Sequence, residues 1–219
     1  MSKKLPIGIQ SFEVIRTDNY YYVDKTCFIL KITNEGKYFF LSRPRRLGKS
    51  LFLDTLRQAF LGKKELFKGL YLEDNWNWDV TYPVIYISFG SGVHRSLSEL
   101  RLTEQAILIR HAEKYGIELK FKDVKNGFEE LIQKLAEMHN QQVVILIDEY
   151  DKPILDNMHN SEVAIEIREE LKNFYSVLKD ADPYLKFCFL TGVSKFAKVS
   201  IFSGLNNLKD ITLLPAYAT

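Results

Sequence analysis

The chain has 219 residues, enough to bury a hydrophobic core, and its 46% hydrophobic and 26% charged residues are ordinary for a globular protein. It carries 30 Lys and Arg against 28 Asp and Glu, a net charge of +2. This balance excludes the strong overall basicity by which many nucleic-acid-binding proteins are recognised. Length alone predicts one domain or two small ones.

The two cysteines, Cys27 and Cys188, are far apart in the sequence and belong to no CxxC or Cys/His group. Neither a zinc site nor a disulfide is therefore expected, and reduced thiols fit the cytoplasm. The first ten residues lack the apolar core of a signal peptide. No apolar stretch approaches the roughly 18 residues that cross a membrane, so we predict a cytoplasmic protein without a membrane partner.

Residues 1–36 are predicted to form a small helical segment that docks on a core formed by residues 37–219. Residues 11–16 and 26–35 of this segment have helical patterns, separated by NYYYVDKT.

Four apolar runs alternate along the core with segments of helical periodicity. This alternation predicts a parallel sheet covered by helices on both faces, a three-layer α/β fold, because each connection is long enough for a crossover helix. The stretch 61–82 is predicted to be an irregular surface connection, and 211–214 is a candidate fifth strand. The predicted strands are 38–42, 84–89, 143–148 and 185–191, and the predicted helices are 50–60, 96–115, 127–140 and 162–179.

Residues 37–50, KYFFLSRPRRLGKS, contain the most informative local pattern. A strand opens into a basic turn that ends in Gly48, Lys49 and Ser50, and a helix follows. Phosphate-binding loops of the form G-x-x-x-x-G-K-[ST] have this context, although Arg43 stands here in place of the first glycine. A chance tripeptide in a basic turn is the alternative on this motif alone. The candidate phosphate-binding residues are Arg43, Pro44, Arg45, Arg46, Leu47, Gly48, Lys49, Ser50 and Leu51.

A second motif, QQVVILIDEYDKP, covers residues 141–153. Five consecutive aliphatic residues predict a strand that is buried on both faces. The strand ends in Asp148 and Glu149. In ATPases with a phosphate-binding loop, such an acid supports Mg²⁺, and a neighbouring carboxylate can take a proton from the attacking water. A strand that ends in a solvated acidic turn is the alternative.

The fourth predicted strand ends at Thr191, where doubly wound sheets place their ligands. In ATPases with an additional strand between the two motif strands, a polar residue here senses the γ-phosphate. Thr191 or Ser194 fits that role, and Lys195 or Lys198 would add positive charge. A simple Thr-Gly turn remains equally open from the spacing.

Four segments in this order resemble the AAA-ATPase-like domain family of bacterial and archaeal proteins, a branch of the P-loop ATPases with an additional strand and a catalytic glutamate. They are PIGIQSFEVIRTDNYYYVDKT, SRPRRLGKSLFL, VILIDEYDKPI and FLTGVSKFAKVSIFSGLNNLKDIT. The resemblance runs from Leu5 to Thr219, and an arginine at position 43 is typical of the family.

The resemblance implies a role for each motif residue. Lys49 and Ser50 would bind phosphate and Mg²⁺, and Asp148 would support the metal. Glu149 would position the water and Thr191 would be the sensor. Similar proteins continue into a helical lid, and many carry a restriction-endonuclease-like nuclease domain. We expect this sequence, which ends at Thr219, to lack most of the lid and to have no nuclease activity.

The implied function is Mg²⁺-dependent binding and hydrolysis of ATP by a nucleotide switch, with ATP and ADP as ligands and an effector or nuclease domain as a possible partner downstream or in trans. A nucleotide-binding module without turnover is one alternative. The other is a nucleic-acid-associated defence or remodelling component that uses the RPRR cluster. ATP is favoured over GTP because the guanine-specific Asn/Thr-Lys-x-Asp pattern is absent after the fourth strand.

Three assignments stay open at this point. The tyrosine run Tyr20–Tyr22 either stacks on adenine or, as we favour, lines the surface where the N-terminal segment docks. One of Arg45 and Arg46 either contacts the γ-phosphate or lies in solvent. Phe174 and Tyr175 either belong to a helix packed on the sheet or mark a partner surface.

Overall fold

All strands that the structure describes run parallel in one sheet. The structure is a computed structural model and describes residues 3–195, 201–202 and 208–217. The strands are β1 (Tyr38–Ser42), β2 (Val84–Ser88), β3 (Val143–Asp148), β4 (Leu185–Gly192) and β5 (Lys209–Asp210). Their order in the sheet is β2-β3-β4-β1-β5. Parallel strands require crossover connections, which the helices between them supply.

The helices form a layer on each face of the sheet, which confirms the predicted three-layer α/β fold. The α-helices are α1 (Phe12–Thr17), α2 (Thr26–Glu35), α3 (Lys49–Phe60), α4 (Leu72–Asn75), α5 (Leu97–Tyr115), α6 (Val124–His139), α7 (Lys152–Leu155) and α8 (Ser161–Asp180). Successive side chains of a strand point to opposite faces, so Phe39 belongs to the core on the side of α1–α3, while Phe40 belongs to the core on the side of α5, α6 and α8. These α-helices are the ones that the structure describes. Within the described ranges, none of them has the length and apolarity needed to cross a bilayer.

Strand β4 lies between β1 and β3, as expected for a fold with an additional strand between the two motif strands. Leu41 of β1 pairs with Thr191, and Ile147 of β3 pairs with Leu190. On the other side of β3, Ser88 pairs with Asp148. This register brings the carboxyl ends of β1 to β4 to a single edge of the sheet.

Side-chain caps set the beginnings of the long helices. Ser96 accepts a hydrogen bond from the amide of Glu99, and Asn160 accepts one from that of Val163, both at 3.3 Å. Helix α6 begins at Val124 rather than at 127, because Asp123 accepts from the Asn126 amide at 2.9 Å and so starts the helix earlier.

Two expectations for the connections were wrong. The stretch 61–82 is not merely an irregular surface segment: it contains the 3₁₀ turn Lys64–Phe67 and the helix α4, and its apolar residues Phe67 and Leu72 are fully buried. The fifth strand is Lys209–Asp210 rather than 211–214. It ends there because the Asp210 carboxylate accepts from the Thr212 amide at 2.9 Å, which turns the chain away from β1.

The N-terminal helices contact the core through buried groups. The Phe12 amide donates to Asp54 of α3 at 2.7 Å, and the Phe12 ring packs on Tyr22 and Phe67. Arg16 donates from Nε to the Leu66 carbonyl at 2.7 Å. These contacts agree with docking of the N-terminal segment, while its treatment as a separate unit stays a prediction.

Phe174 and Tyr175 are each only 1% exposed, so the alternative of a partner surface is wrong. The Phe174 ring stacks on Phe128 of α6, with 4.7 Å between the ring centroids. Helix α8 therefore uses these aromatic side chains to hold the helical layer on the sheet.

A buried acid lies in the same layer. Glu104 of α5 is fully buried, and within the part of the chain described neither of its carboxyl oxygens has a hydrogen-bond partner. Burial, reinforced by the charge of Glu170, raises its pKa from 4.5 to about 9. Glu104 is therefore protonated in the folded chain at neutral pH.

We predict that Glu104→Gln stabilises the protein in a pH-dependent manner. Above the ordinary pKa of 4.5 the unfolded chain loses a proton that the folded chain keeps up to about pH 9, so the free energy of unfolding falls as the pH rises through this window. Glutamine has nearly the same shape and does not ionise. In urea unfolding, the variant should exceed the wild type in free energy of unfolding most near pH 8, and this difference should shrink toward pH 5. The pKa shift of Glu104 sets the size of the change.

Glu118→Gln, at an exposed position, is the matched control and should show no such trend. An advantage of Glu104→Gln that stays constant between these pH values would contradict the assignment.

Candidate nucleotide-binding site

The loop between β1 and α3 is anchored by Arg43. Its amide donates to the Gly192 carbonyl at 3.2 Å, and its guanidinium Nη2 donates to the Tyr217 carbonyl at 3.0 Å. A φ in the left-handed region favours glycine, and Arg43 is not among the residues with positive φ. An arginine can therefore replace the first glycine of the loop pattern without strain.

Two later positions of the loop do take the left-handed conformation. Arg46 has φ of 67° and Gly48 has φ of 74°. Gly48 is also the N-cap of α3, so the unpaired amides of the first helical turn lie at the end of the loop. Left-handed residues next to free amides form the concave nests that bind anions.

Lys49 is only 7% exposed, and its ammonium group bridges the loop by donating to the carbonyls of Arg43 at 2.7 Å and Pro44 at 3.0 Å. Burial lowers the pKa of Lys49, whereas the charges of Asp148 and Glu149 act in the opposite direction. The ammonium group therefore lies in the field of the acids at the end of β3.

Asp148, the last residue of β3, is 4% exposed and accepts two hydrogen bonds from described residues. The Thr191 hydroxyl donates to Oδ1 at 2.6 Å, and the Tyr86 hydroxyl donates to Oδ2 at 3.4 Å. Thr191, fully buried in β4, therefore contacts the acid directly. These bonds fix the carboxylate orientation from both neighbouring strands.

Glu149 leaves the strand in a left-handed conformation, with φ of 53°. Its carboxylate lies against Gly90, where an added methyl group would be 3.4 Å from Oε2 and 3.3 Å from the Ser88 hydroxyl. The Gly90 amide donates to that hydroxyl at 3.2 Å. Sequence reasoning missed Gly90, for which the FGSG segment after the second strand was the available signal.

Asp151 holds the ends of β3 and β4 together. Its carboxylate accepts from the Val193 amide at 3.1 Å and from the Ser194 amide at 2.6 Å, and burial raises its pKa. A methyl group on Gly192 would lie 2.3 Å from the Tyr150 ring, so only glycine fits. The sequence assigned Asp151 to the turn, but the contact across to β4 was not visible there.

The other candidate residues have less defined surroundings. Pro44, Arg45, Arg46 and Leu47 are exposed, whereas Ser50 and Leu51 are half-buried at the start of α3. Lys195 lies 3.3 Å from Asp210 in an ion pair, and Lys198 lies outside the described residues.

A largely apolar cavity of about 450 Å³ opens next to the loop. The N-terminal segment, the loop with the start of α3, and the chain after β5 each contribute side chains, so it joins parts distant in sequence. Two residues of the tyrosine run line the cavity: Tyr22 is half-buried and its ring packs on Phe12, while Tyr21 is 57% exposed. The lining includes Leu5, Tyr21, Phe28, Leu47, Ile211 and Tyr217.

We predict that Arg46→Gly is more stable than Arg46→Ala. A residue with a Cβ pays about 1 kcal/mol to occupy the left-handed region that Arg46 adopts, and glycine does not. Alanine keeps that cost and loses the side chain. Thermal unfolding of the two variants measures the difference directly, and equal midpoints would show that the loop does not hold this conformation in solution.

Comparison with known proteins identifies relatives over nearly the whole chain. A family model described as predicted AAA-ATPase (AAA-ATPase-like) matches residues 6–202. An uncharacterized protein from the 5′ region of vnfD in Azotobacter chroococcum mcd 1 is 51% identical over 217 residues, which are 99% of this chain and 42% of that protein. The chain thus spans less than half the length of this relative. With a loop, paired acids and an inserted strand in the matched region, the chain belongs to the AAA-ATPase-like family.

Proposed function

We propose that the chain binds Mg·ATP and hydrolyses it, acting as a nucleotide switch. The observation that carries the proposal is the convergence of Lys49, Asp148 and Glu149 at one edge of the sheet. The charges of both acids act on the Lys49 ammonium group. Family membership supports nucleotide binding in general, and the steps below refine it.

The loop supplies the phosphate contacts. The backbone amides from Arg45 to Ser50 and the positive end of the α3 dipole would favour a polyphosphate. Lys49 now donates to two loop carbonyls, and a bound triphosphate would offer its oxygens in their place. Arg45 and Arg46 are exposed in the loop and would add positive charge, and one of them would contact the γ-phosphate.

Ser50 and Asp148 would hold Mg²⁺, which prefers oxygen ligands and keeps several water molecules. A hydroxyl and one carboxylate, completed by phosphate oxygens, suit this ion. When bound, the ion neutralises charge on the β- and γ-phosphates. Thr191 and Tyr86 hold the Asp148 carboxylate in place for this task.

Glu149 is our candidate for the general base. It follows Asp148 at the edge of the sheet, and its left-handed backbone turns it toward the end of β2. There it would take a proton from the attacking water. We retain Thr191 as the sensor, because its hydroxyl holds the Asp148 carboxylate and would in this way relay the presence of the γ-phosphate to β4.

The apolar cavity would hold the adenine ring. It adjoins Gly48 and Lys49 and contains aromatic side chains that can stack on a base. Apolar lining gives little recognition of guanine through hydrogen bonds, which favours ATP. Because the N-terminal segment and the chain after β5 both line the cavity, occupancy by a nucleotide would link their positions.

That link is our basis for a switch. The effector would be a further domain or a separate protein, since the chain covers 42% of its relative, and we expect no nuclease activity in these residues. We place the protein in the cytoplasm.

A nucleotide-binding module without turnover is the second candidate function. Hydrolysis assays distinguish it from the nucleotide switch.

Two substitutions are expected to separate ATP binding from ATP hydrolysis. Lys49→Ala should weaken ATP binding at least about tenfold, because it removes a charged hydrogen-bond donor. Glu149→Gln should keep ATP affinity within about threefold yet lower turnover about 100-fold or more, since an amide cannot accept the proton. Calorimetric titration with Mg·ATP and a phosphate-release assay give the two readouts.

Glu118→Gln, an exposed substitution of the same kind, serves as the control and should match the wild type. Full turnover by Glu149→Gln would refute its role as base. ATP binding without measurable turnover in the wild type would instead support the module without hydrolysis.

A further prediction concerns the binding of the adenine ring. Tyr21→Ala should weaken ATP binding about tenfold through loss of stacking, while tripolyphosphate binding stays unchanged. Tyr71→Ala removes a similarly exposed ring that does not line the cavity and is the matched control. If Tyr21→Ala lost the same affinity for ATP as for tripolyphosphate, the adenine ring would have to bind elsewhere.

A further inference from the structure

A second, cationic cavity of about 340 Å³ lies beside β2, away from the apolar cavity. Arg57 of α3 and Arg110 and Lys114 of α5 line it, together with the hydroxyl groups of Ser88 and Ser91. Among the described residues, no acidic side chain belongs to the lining. Three permanent cations in one concave site create a positive potential that favours anions.

Helix α5 is fastened to β2, the outer strand, by two side chains one turn apart. The Tyr115 hydroxyl donates to the Val84 carbonyl at 3.2 Å and accepts from the Val84 amide at 3.1 Å. His111 Nε2 lies 2.8 Å from the Tyr86 carbonyl oxygen and 3.2 Å from the Tyr86 amide nitrogen. Arg110 and Lys114, also one turn apart, are thereby held at a fixed height along β2.

Arg57 is also held in position. Its guanidinium lies over the Tyr86 ring at 5.4 Å from the centroid, and Nη2 is 2.6 Å from the Asp54 carboxylate. Its Nε–H group has no hydrogen-bond partner among the described residues. One donor of the Arg57 fork therefore remains unused.

The two cations of α5 lack such a counterion. Within the described ranges, no carboxylate lies within 4.0 Å of Arg110 or Lys114. The potential at the cavity is positive: besides burial, the charges of Lys114, Arg110 and Arg57 all lower the pKa of His111. The site thus carries two cations without a carboxylate partner among the described residues, on a helix that is held against β2.

We propose that this cavity binds a phosphate group at a site separate from the nucleotide loop. Guanidinium groups match the oxygens of phosphate in pairs, and an ammonium group and hydroxyl groups complete the donors. The phosphate can belong to a small molecule or to a nucleic-acid backbone, which present the same chemistry. Tyr86 lines the cavity and donates to Asp148, so the two sites share this residue.

The test uses the full chain carrying Lys49→Ala, which weakens any binding at the loop. Two probes are titrated: pyrophosphate by calorimetry, and a fluorescein-labelled oligothymidylate of about 20 nucleotides by anisotropy at several salt concentrations. The test variant adds Arg110→Ala and Lys114→Ala. The control adds Lys63→Ala and Lys64→Ala, which remove the same charge from exposed positions outside the cavity.

We expect the test variant to lose about tenfold or more in affinity for a bound probe and the control to lose little. For the oligonucleotide, the slope of log affinity against log salt should fall by about 1.4, the value for two phosphate contacts on a single strand. Binding of pyrophosphate alone would identify a small phosphate ligand. Binding of the oligonucleotide with this slope change would identify a nucleic-acid backbone.

The proposal would be overturned if neither probe bound. It would also be overturned if the test and control variants lost the same affinity for a bound probe. Because both substituted residues are exposed, unfolding is not expected. Lys114→Gln alone provides a milder variant in which the same direction of change must appear. All comparisons share the Lys49→Ala background, so failure here would leave the proposal for the nucleotide loop unaffected.

Discussion

The pairing of β4 with both β1 and β3 is the constraint on which the candidate site depends. Backbone hydrogen bonds on the two sides of β4 fix its register against the strand before the loop and against the strand that ends in the acids. The Arg43 amide, Thr191 hydroxyl and Asp151 carboxylate all bond across this strand or its end. A shift of β4 by one residue would turn Thr191 away from Asp148, because neighbouring side chains point to opposite faces.

The buried charges at this edge explain why the loop is organised around Lys49. An ammonium group that is almost fully buried needs hydrogen bonds and opposite charge nearby. The two loop carbonyls provide the first and the acids after β3 provide the second. The same arrangement leaves the ammonium group available to a ligand with many anionic oxygens, since such a ligand would satisfy it at least as well. In our proposal, the stability of the loop and its affinity for polyphosphate therefore depend on the same side chain.

Much of this architecture could be predicted because its signals are local. The run Val143–Asp148 is apolar enough to show a strand buried on both faces, and α8 has a clear helical period with Asn160 at its start. The fifth strand was misplaced because a strand of two residues is too short to show a periodic pattern. Its end depends on the turn that the Asp210 carboxylate forms with the Thr212 amide. Phe67 and Leu72 could not be assigned to the core from sequence, since their burial comes from α1 and α2 packing over an otherwise irregular connection.

Contacts between distant segments were the part that sequence could not supply. Nothing near the tyrosine run indicates that Tyr22 packs on Phe12, or that Tyr21 and Tyr22 line a cavity shared with the chain after β5. The pattern mismatch at Arg43 has the same origin. The backbone at this position is not left-handed and so does not call for glycine, and Arg43 uses its side chain to reach the Tyr217 carbonyl. The Arg43 side chain thus connects the loop to Tyr217, which lines the apolar cavity. A glycine has no side chain with which to make this contact.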